Sequence, residues 1–209
     1  MTTLSDKQFR TVLDRLHEAA ERDDDLDFGP LADDATSQQR ADALAEAYLP
    51  ISAAGGRLIY SLVRAARPQV VVEFGTSYGI STLYLAAAVK DNGVGRVFGT
   101  EMSSVKVAAA RRNLAEAGVE ATVLEGDALE TLTAVEGPIG FVLLDGWKNL
   151  YLPVLHRLED RLTPGALVIA DDSSFPSVRP HLDYVRDPEN GYVSTAFPVE
   201  DGMEISCRA

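Results

Sequence analysis

The chain is poor in several things that would each point to a particular way of life. It has one cysteine, Cys207, in what reads as the last strand. A lone thiol excludes an intramolecular disulfide and a cysteine-cluster metal site, and predicts a small core residue there. Basic residues are scarce: 19 Lys and Arg stand against 32 Asp and Glu, for a formal charge of −13. Such a field repels phosphate backbones and argues against a nucleic-acid surface. No apolar run is long enough to span a bilayer, and Met1-Thr2-Thr3-Leu4-Ser5-Asp6 lacks the basic and apolar regions of a secretion signal. The expectation is a cytoplasmic protein with no membrane partner. Internal repeats and low-complexity segments are also missing. The acidic run from Glu21 to Asp27 reads as a solvated linker between helices.

What is present is an alternation of strands and helices. With 46% apolar residues among 209, the chain can bury one core, and a single domain over 1–209 is expected, with a helical extension over 1–50. Phe9, Val12, Leu13, Leu16 and Ala19 recur at helical spacing within 5–21. Their apolar face predicts packing on the active site or a twofold partner, hence a homodimer. Helices are expected over 37–48 and from the Ser52 N-cap to Pro68. Strands at 70–74, 96–101, 121–125, 141–145, 166–171, 192–197 and 203–208 alternate with helices at 81–90, 104–117, 128–134, 149–161 and 176–187. The pattern predicts an α/β, Rossmann-like fold: a mostly parallel seven-stranded sheet with helices on both faces.

The run Val70-Val71-Val72-Glu73-Phe74-Gly75-Thr76-Ser77-Tyr78-Gly79 reads as a buried strand entering a glycine turn and a helix. Backbone amides there can meet a polar ligand closely, although the same residues suit an ordinary turn. The spacing E-x-G-x-x-x-G is not the G-x-G-x-x-G of dinucleotide enzymes, which speaks against a nicotinamide oxidoreductase; it resembles S-adenosylmethionine-dependent methyltransferases. Glu101 ends the second strand, where such folds place a ribose-binding carboxylate; a carboxylate before a helix N-terminus is the alternative. Glu125-Gly126-Asp127-Ala128 follows the third strand, at the adenine position of the same scheme.

Acids also close two later strands: Asp145 after Phe141–Leu144, and Asp171-Asp172 after Leu167–Ala170. Like charges converging on one rim are costly unless compensated, so a hard divalent cation (Mg²⁺ first, Ca²⁺ or Mn²⁺ otherwise) is the economical explanation; helix capping is the other. Lys148, three residues after Asp145, is placed to accept a proton, its charged form disfavoured by such a cation. The histidines, His17, His156 and His181, read as structural or solvated, with His156 the second choice of base.

The segment Asp145-Gly146-Trp147-Lys148-Asn149-Leu150-Tyr151-Leu152-Pro153 resembles the corresponding part of catechol O-methyltransferase. More widely, the chain is similar to metal-dependent small-molecule O-methyltransferases, including the caffeoyl-CoA enzymes, from about Ile51 through Pro198-Val199-Glu200-Asp201-Gly202-Met203-Glu204. The resemblance implies S-adenosylmethionine as cofactor. Glu73, Gly75 and Ser81 would meet its methionine end, with Thr76 in the same turn and Ile51 nearby. Glu101 would bind ribose, Met102, Asp127 and Ala128 would border adenine, and Trp147 would lie on the adenine face. It further implies that Asp145, Asp171 and Asp172 are metal ligands and Lys148 the catalytic lysine, acting on a hydroxyl of a small aromatic vicinal diol.

Three positions depart from that pattern. Asp172 stands where the family has Asn, Gly146 replaces a bulkier residue, and the stretch between Arg186 and Asp201 is too short for the acid that anchors the second catechol hydroxyl. Pro176 matches a wall of the catechol slot. The remaining acceptor-pocket residues are expected from the N-terminal helices and the loop after Asp172. Two rivals stand beside this reading: a metal-independent methyltransferase of the same fold and a nonenzymatic cofactor-binding module.

Overall fold

The computed structural model describes residues 2–26 and 35–209; Asp27, the end of the acidic run, lies outside them. Five parallel strands form the body of the sheet: β1 (Val70–Phe74), β2 (Arg96–Glu101), β3 (Thr122–Glu125), β4 (Ile139–Leu144) and β5 (Leu162–Ala170). Two antiparallel strands, β6 (Tyr192–Phe197) and β7 (Met203–Arg208), complete it in the order β3-β2-β1-β4-β5-β7-β6. Every residue of β1 is buried, as a central parallel strand covered on both faces requires. The strand order reverses direction between β1 and β4, which opens a crevice beyond their carboxyl ends.

Helices cover both faces. On one lie α1 (Lys7–Ala20), α3 (Ala53–Ala66), α4 (Ile80–Asn92) and α5 (Ser104–Ala117); on the other, α6 (Ala128–Thr131), α7 (Tyr151–Leu158) and α8 (Arg179–Arg186). α4 is apolar on nearly every side because it is enclosed on nearly every side, with Leu83 to Val89 all buried. α3 ends where Arg67 turns left-handed before Pro68, and α5 ends at Gly118 in the same conformation.

The apolar face of α1 is spent inside the chain: Phe9, Val12, Leu13 and Leu16 are buried against α5 and α4. Asp91 ties the N-terminus down by accepting from Thr3 N, Thr3 Oγ1 and Tyr60 Oη. The face that suggested a twofold partner is thus the extension's own attachment to the core. No described helix is long and apolar enough to cross a membrane. Cys207 is half-buried in β7 and not in the core interior.

Two local expectations change through one residue. The second helix, α2, covers only Ser37–Ala43 and not the span to Tyr48. Asp23 takes the backbone N–H groups of Tyr48 (2.9 Å) and Leu49 (2.7 Å), so the acidic run is at that point a clamp and not a solvated linker. Ser77 Oγ donates to Tyr48 O and Tyr78 Oη to Ala45 O, and the Tyr48 and Tyr78 rings stack at 4.0 Å. After a turn over 44–46, these tertiary bonds hold 47–50 as an irregular strap beside the glycine turn, where helical hydrogen bonds would otherwise continue.

Candidate active site

Backbone hydrogen bonds that continue the sheet past its strand ends assemble the site. Gly75 N and Thr76 N donate to Thr100 O, Asp145 N to Phe74 O at 2.8 Å, and Asp171 N to Leu144 O at 3.0 Å. The ends of β2, β1, β4 and β5 therefore present Glu101, Gly75, Asp145 and Asp171 side by side. They line a cavity of about 360 Å³ together with Ile51, Thr76, Ser81, Met102, Asp127, Ala128, Trp147, Lys148 and Asp172. Every expected cofactor and metal position except Glu73 opens on this one space.

Glu73 lies beneath the turn, fully buried, accepting from the Thr76 and Thr82 hydroxyls. Burial pushes its pKa up, against the Ser81, Thr82 and Thr76 hydroxyls, which favour the ionised form. Its Oε1 has no hydrogen-bond partner among the described residues. The carboxylate braces the floor of the turn from below. Gly75 is required there by two facts: its φ is +98°, and a Cβ would lie 2.5 Å from Asp145 O. Gly146 is explained the same way, since the Phe74 ring fills the place of its side chain, 2.7 Å from where a Cβ would stand.

Glu101 spans the turn and the next helix. Its carboxylate accepts from Ser77 N and Ser103 N, both at 2.8 Å, and it still faces the cavity. It thus sits at the N-terminus of α5, as a carboxylate before a helix should, and is open to the cavity as well. Asp127 caps α6 by accepting from Leu129 N at 2.8 Å.

At the other end of the cavity the acids gather around a single ammonium. Lys148 Nζ is 2.6 Å from Asp172 Oδ2, 3.4 Å from Asp145 Oδ1 and donates to Tyr151 Oη at 2.9 Å. Burial pushes the carboxyl groups of Asp145 and Asp171 up, and mutual repulsion with Asp172 adds to it, while Lys148 opposes. Burial alone would lower the lysine, yet Asp145, Asp172 and Asp171 outweigh it and hold the ammonium charged. The depression expected at this lysine is the effect of a divalent cation beside it; the three acids by themselves do not produce it and act in the opposite direction. Nor do the acids close into a cage: among the described residues no group of three His, Cys, Asp or Glu is arranged to hold a metal ion. Lys148 stands between Asp145 and Asp172 instead.

Backbone strain collects here. Of the five non-glycine residues with positive φ among the described residues, four (Leu49, Ser77, Asp172 and Glu200) line the cavity, and the fifth, Arg67, ends α3. Left-handed conformations at such residues persist where surrounding contacts over-determine them, and they cluster at functional sites. Ser173 N and Ser174 N donate to Gly202 O and Asp201 O, which locks the loop after β5 to the turn carrying Glu200.

Some residues escaped the sequence reading. Glu200 brings an acid into the acceptor end from a stretch that seemed too short for one; its Oε1 accepts from Ser52 N at 3.0 Å. Lys106 lines the cavity beside Glu101, and its place on the buried stripe of α5 with Ala110, Asn113 and Ala117 was the available signal. Leu44, Tyr48, Leu49 and Pro50 supply the wall anticipated from the N-terminal region. Pro176 is exposed and stands outside the lining, as do the histidines: His181 is buried against Tyr151, and His156 is exposed beside Tyr184.

The sheet order and the site at its switch point define a Rossmann-like methyltransferase. A methyltransferase-domain family model matches residues 72–173. Catechol O-methyltransferase of Mycobacterium tuberculosis is 33% identical over 156 residues, covering 70% of this chain and 69% of the relative. Catechol O-methyltransferase B of Danio rerio is 30% identical over 167 residues, covering 72% and 62%. Among solved structures, the Bacillus cereus O-methyltransferase in complex with SAH superposes with a TM-score of 0.71 at 19% identity, covering 93% of this chain and 100% of that one. TomG of Streptomyces achromogenes, in complex with SAM, gives 0.70 at 22%, covering 94% and 98%. The chain belongs to the catechol O-methyltransferase-like family of class I S-adenosylmethionine-dependent O-methyltransferases. It spans about three fifths of the length of several curated relatives.

Proposed function

We propose that the protein transfers a methyl group from S-adenosylmethionine to a hydroxyl of a small aromatic vicinal diol. The observation that carries this reading is the continuity of one cavity from Glu101 and the glycine turn at one end to the Asp145–Lys148–Asp172 group at the other. The glycine turn and Glu101 hold the cofactor, and the Asp145–Lys148–Asp172 group handles the acceptor's proton. As the acceptor oxygen attacks the sulfonium methyl, the C–O bond forms and the S–C bond breaks, its electron pair passing to sulfur. The hydroxyl proton moves to Lys148 Nζ while Nζ passes one of its own to Asp172 Oδ2, the carboxylate already within 2.6 Å. Trp147, Ile51 and the strap residues exclude water and fix the line of attack.

The donor set fits a hard divalent cation. Asp145, Asp171 and Asp172 offer only oxygen, Asp171 Oδ1 is buried without a partner among the described residues, and Lys148 pairs with Asp145 and Asp172 alone of the three. These three residues would hold the ion, which when bound would supply charge compensation and acidify the acceptor hydroxyl. The Lys148–Asp172 contact favours a second reading in which transfer needs no ion. Methylation of catechol before chelator, after it, and after Mg²⁺ is restored separates the two: loss and recovery support the metal, and unchanged turnover supports the alternative.

A further inference from the structure

Lys106 has an environment that the folded chain does not explain by itself. It occupies the first turn of α5, is only 4% exposed, and lines the cavity. Among the described residues its ammonium forms no hydrogen bond or ion pair; its one contact is cationic, over the face of Tyr78 at 5.8 Å. Glu101 and Asp23 are near enough for their charges to favour the ammonium, but both carboxylates are engaged elsewhere. Glu101 accepts from Ser77 N and Ser103 N, and Asp23 from Tyr48 N and Leu49 N. The ammonium has three donors and no protein acceptor among the described residues, and it opens on the cavity, where a ligand would complete its shell.

We propose that Lys106 is a ribose ligand of the cofactor, donating to a ribose hydroxyl oxygen whose own proton is accepted by Glu101. This rests on the cofactor reading above and adds to it a residue and a polarity. A hydroxyl is both acceptor and donor, so it satisfies the lysine and the glutamate together, which a purely accepting or purely donating group cannot do. Tyr78 supports the lysine stem from below and stacks on Tyr48, so the strap and the cation share one platform. Charge-assisted hydrogen bonds from a pre-placed ammonium are of the stronger kind.

The test combines calorimetry of S-adenosylhomocysteine, and of its 2′-deoxy and 3′-deoxy analogues, with melting of the ligand-free protein. Lys106→Met should bind S-adenosylhomocysteine about tenfold more weakly or worse, and its ligand-free midpoint should stay close to wild type, because no hydrogen bond or ion pair among the described residues is removed. Its deficit should shrink for at least one deoxy analogue, since deleting both partners of one contact is not additive. Lys106→Arg, which keeps the charge and the donors, should retain more affinity than the methionine variant and serves if that variant fails to fold. Lys106→Met binding like wild type, or an equal loss for all three ligands, would overturn the proposal. Wild-type protein that ignores S-adenosylhomocysteine would instead remove the cofactor reading on which it stands.

Discussion

The Lys148 ammonium lies 2.6 Å from the carboxylate of Asp172, a residue held in a left-handed backbone conformation with φ of +53°. In this state the lysine is a cation held by acids, so any proton it takes must be matched by one it gives.

Lys148→Ala should therefore lower the methyl-transfer rate constant by about 10²-fold or more, the usual scale for a positioned proton acceptor, with cofactor affinity little changed. Lys148→Arg should not restore it, because a guanidinium keeps its proton at working pH. An arginine variant with wild-type single-turnover rate would make the residue purely electrostatic.

Glu101→Ala should weaken S-adenosylhomocysteine binding by about 1 to 3 kcal/mol in calorimetry. Part of this loss comes from the turn itself, since Ser77 N and Ser103 N lose their acceptor. Glu101→Gln keeps one acceptor oxygen and should recover a fraction of the affinity. Undiminished binding in the alanine variant would remove Glu101 from the ribose site.

Gly146→Ala should cost about 1 to 3 kcal/mol of stability, as expected for overpacking, because the new methyl collides with the Phe74 ring. Phe74→Leu in the same chain should return part of it, a coupling that a double-mutant cycle of melting or denaturant unfolding would reveal. Independent, additive effects would place the strain elsewhere.

Acid stability should depend on Glu204, fully buried in β7 and held by both arms of Arg186 and by Ser194 Oγ. Burial raises its pKa, but those hydrogen bonds and the Arg186 charge prevail and hold it below the usual carboxylate range. A depressed folded-state pKa contributes stability above the unfolded value, about 4.3, that is lost as pH falls through the folded one. Melting followed from pH 7 downward should show this loss in wild type and a smaller one in Glu204→Gln.

The strands were legible because Val70–Phe74 is a dense apolar run and Met203–Arg208 alternates in character, each bounded by turn residues, and the glycine spacing marked the turn that lines the cavity. The acceptor end was less so. Glu200 reaches the cavity through a turn locked to the loop after β5, a tertiary contact with no local signature. Asp23 looked like one solvated acid among several because its partners, Tyr48 N and Leu49 N, are backbone groups far along the chain. The pairing of Lys148 was hidden for a related reason: the contact of its Nζ with Asp172 is a distance that no spacing of residues encodes.

The central claim is best tested by incubating the protein with S-adenosylmethionine and either catechol or phenol, and resolving O-methylated product by mass spectrometry under single-turnover conditions. The account predicts a singly O-methylated diol, formed far faster than any product from the monophenol and lost in Lys148→Ala. Protein that binds S-adenosylhomocysteine but leaves both acceptors unmethylated, or treats them alike, would contradict it.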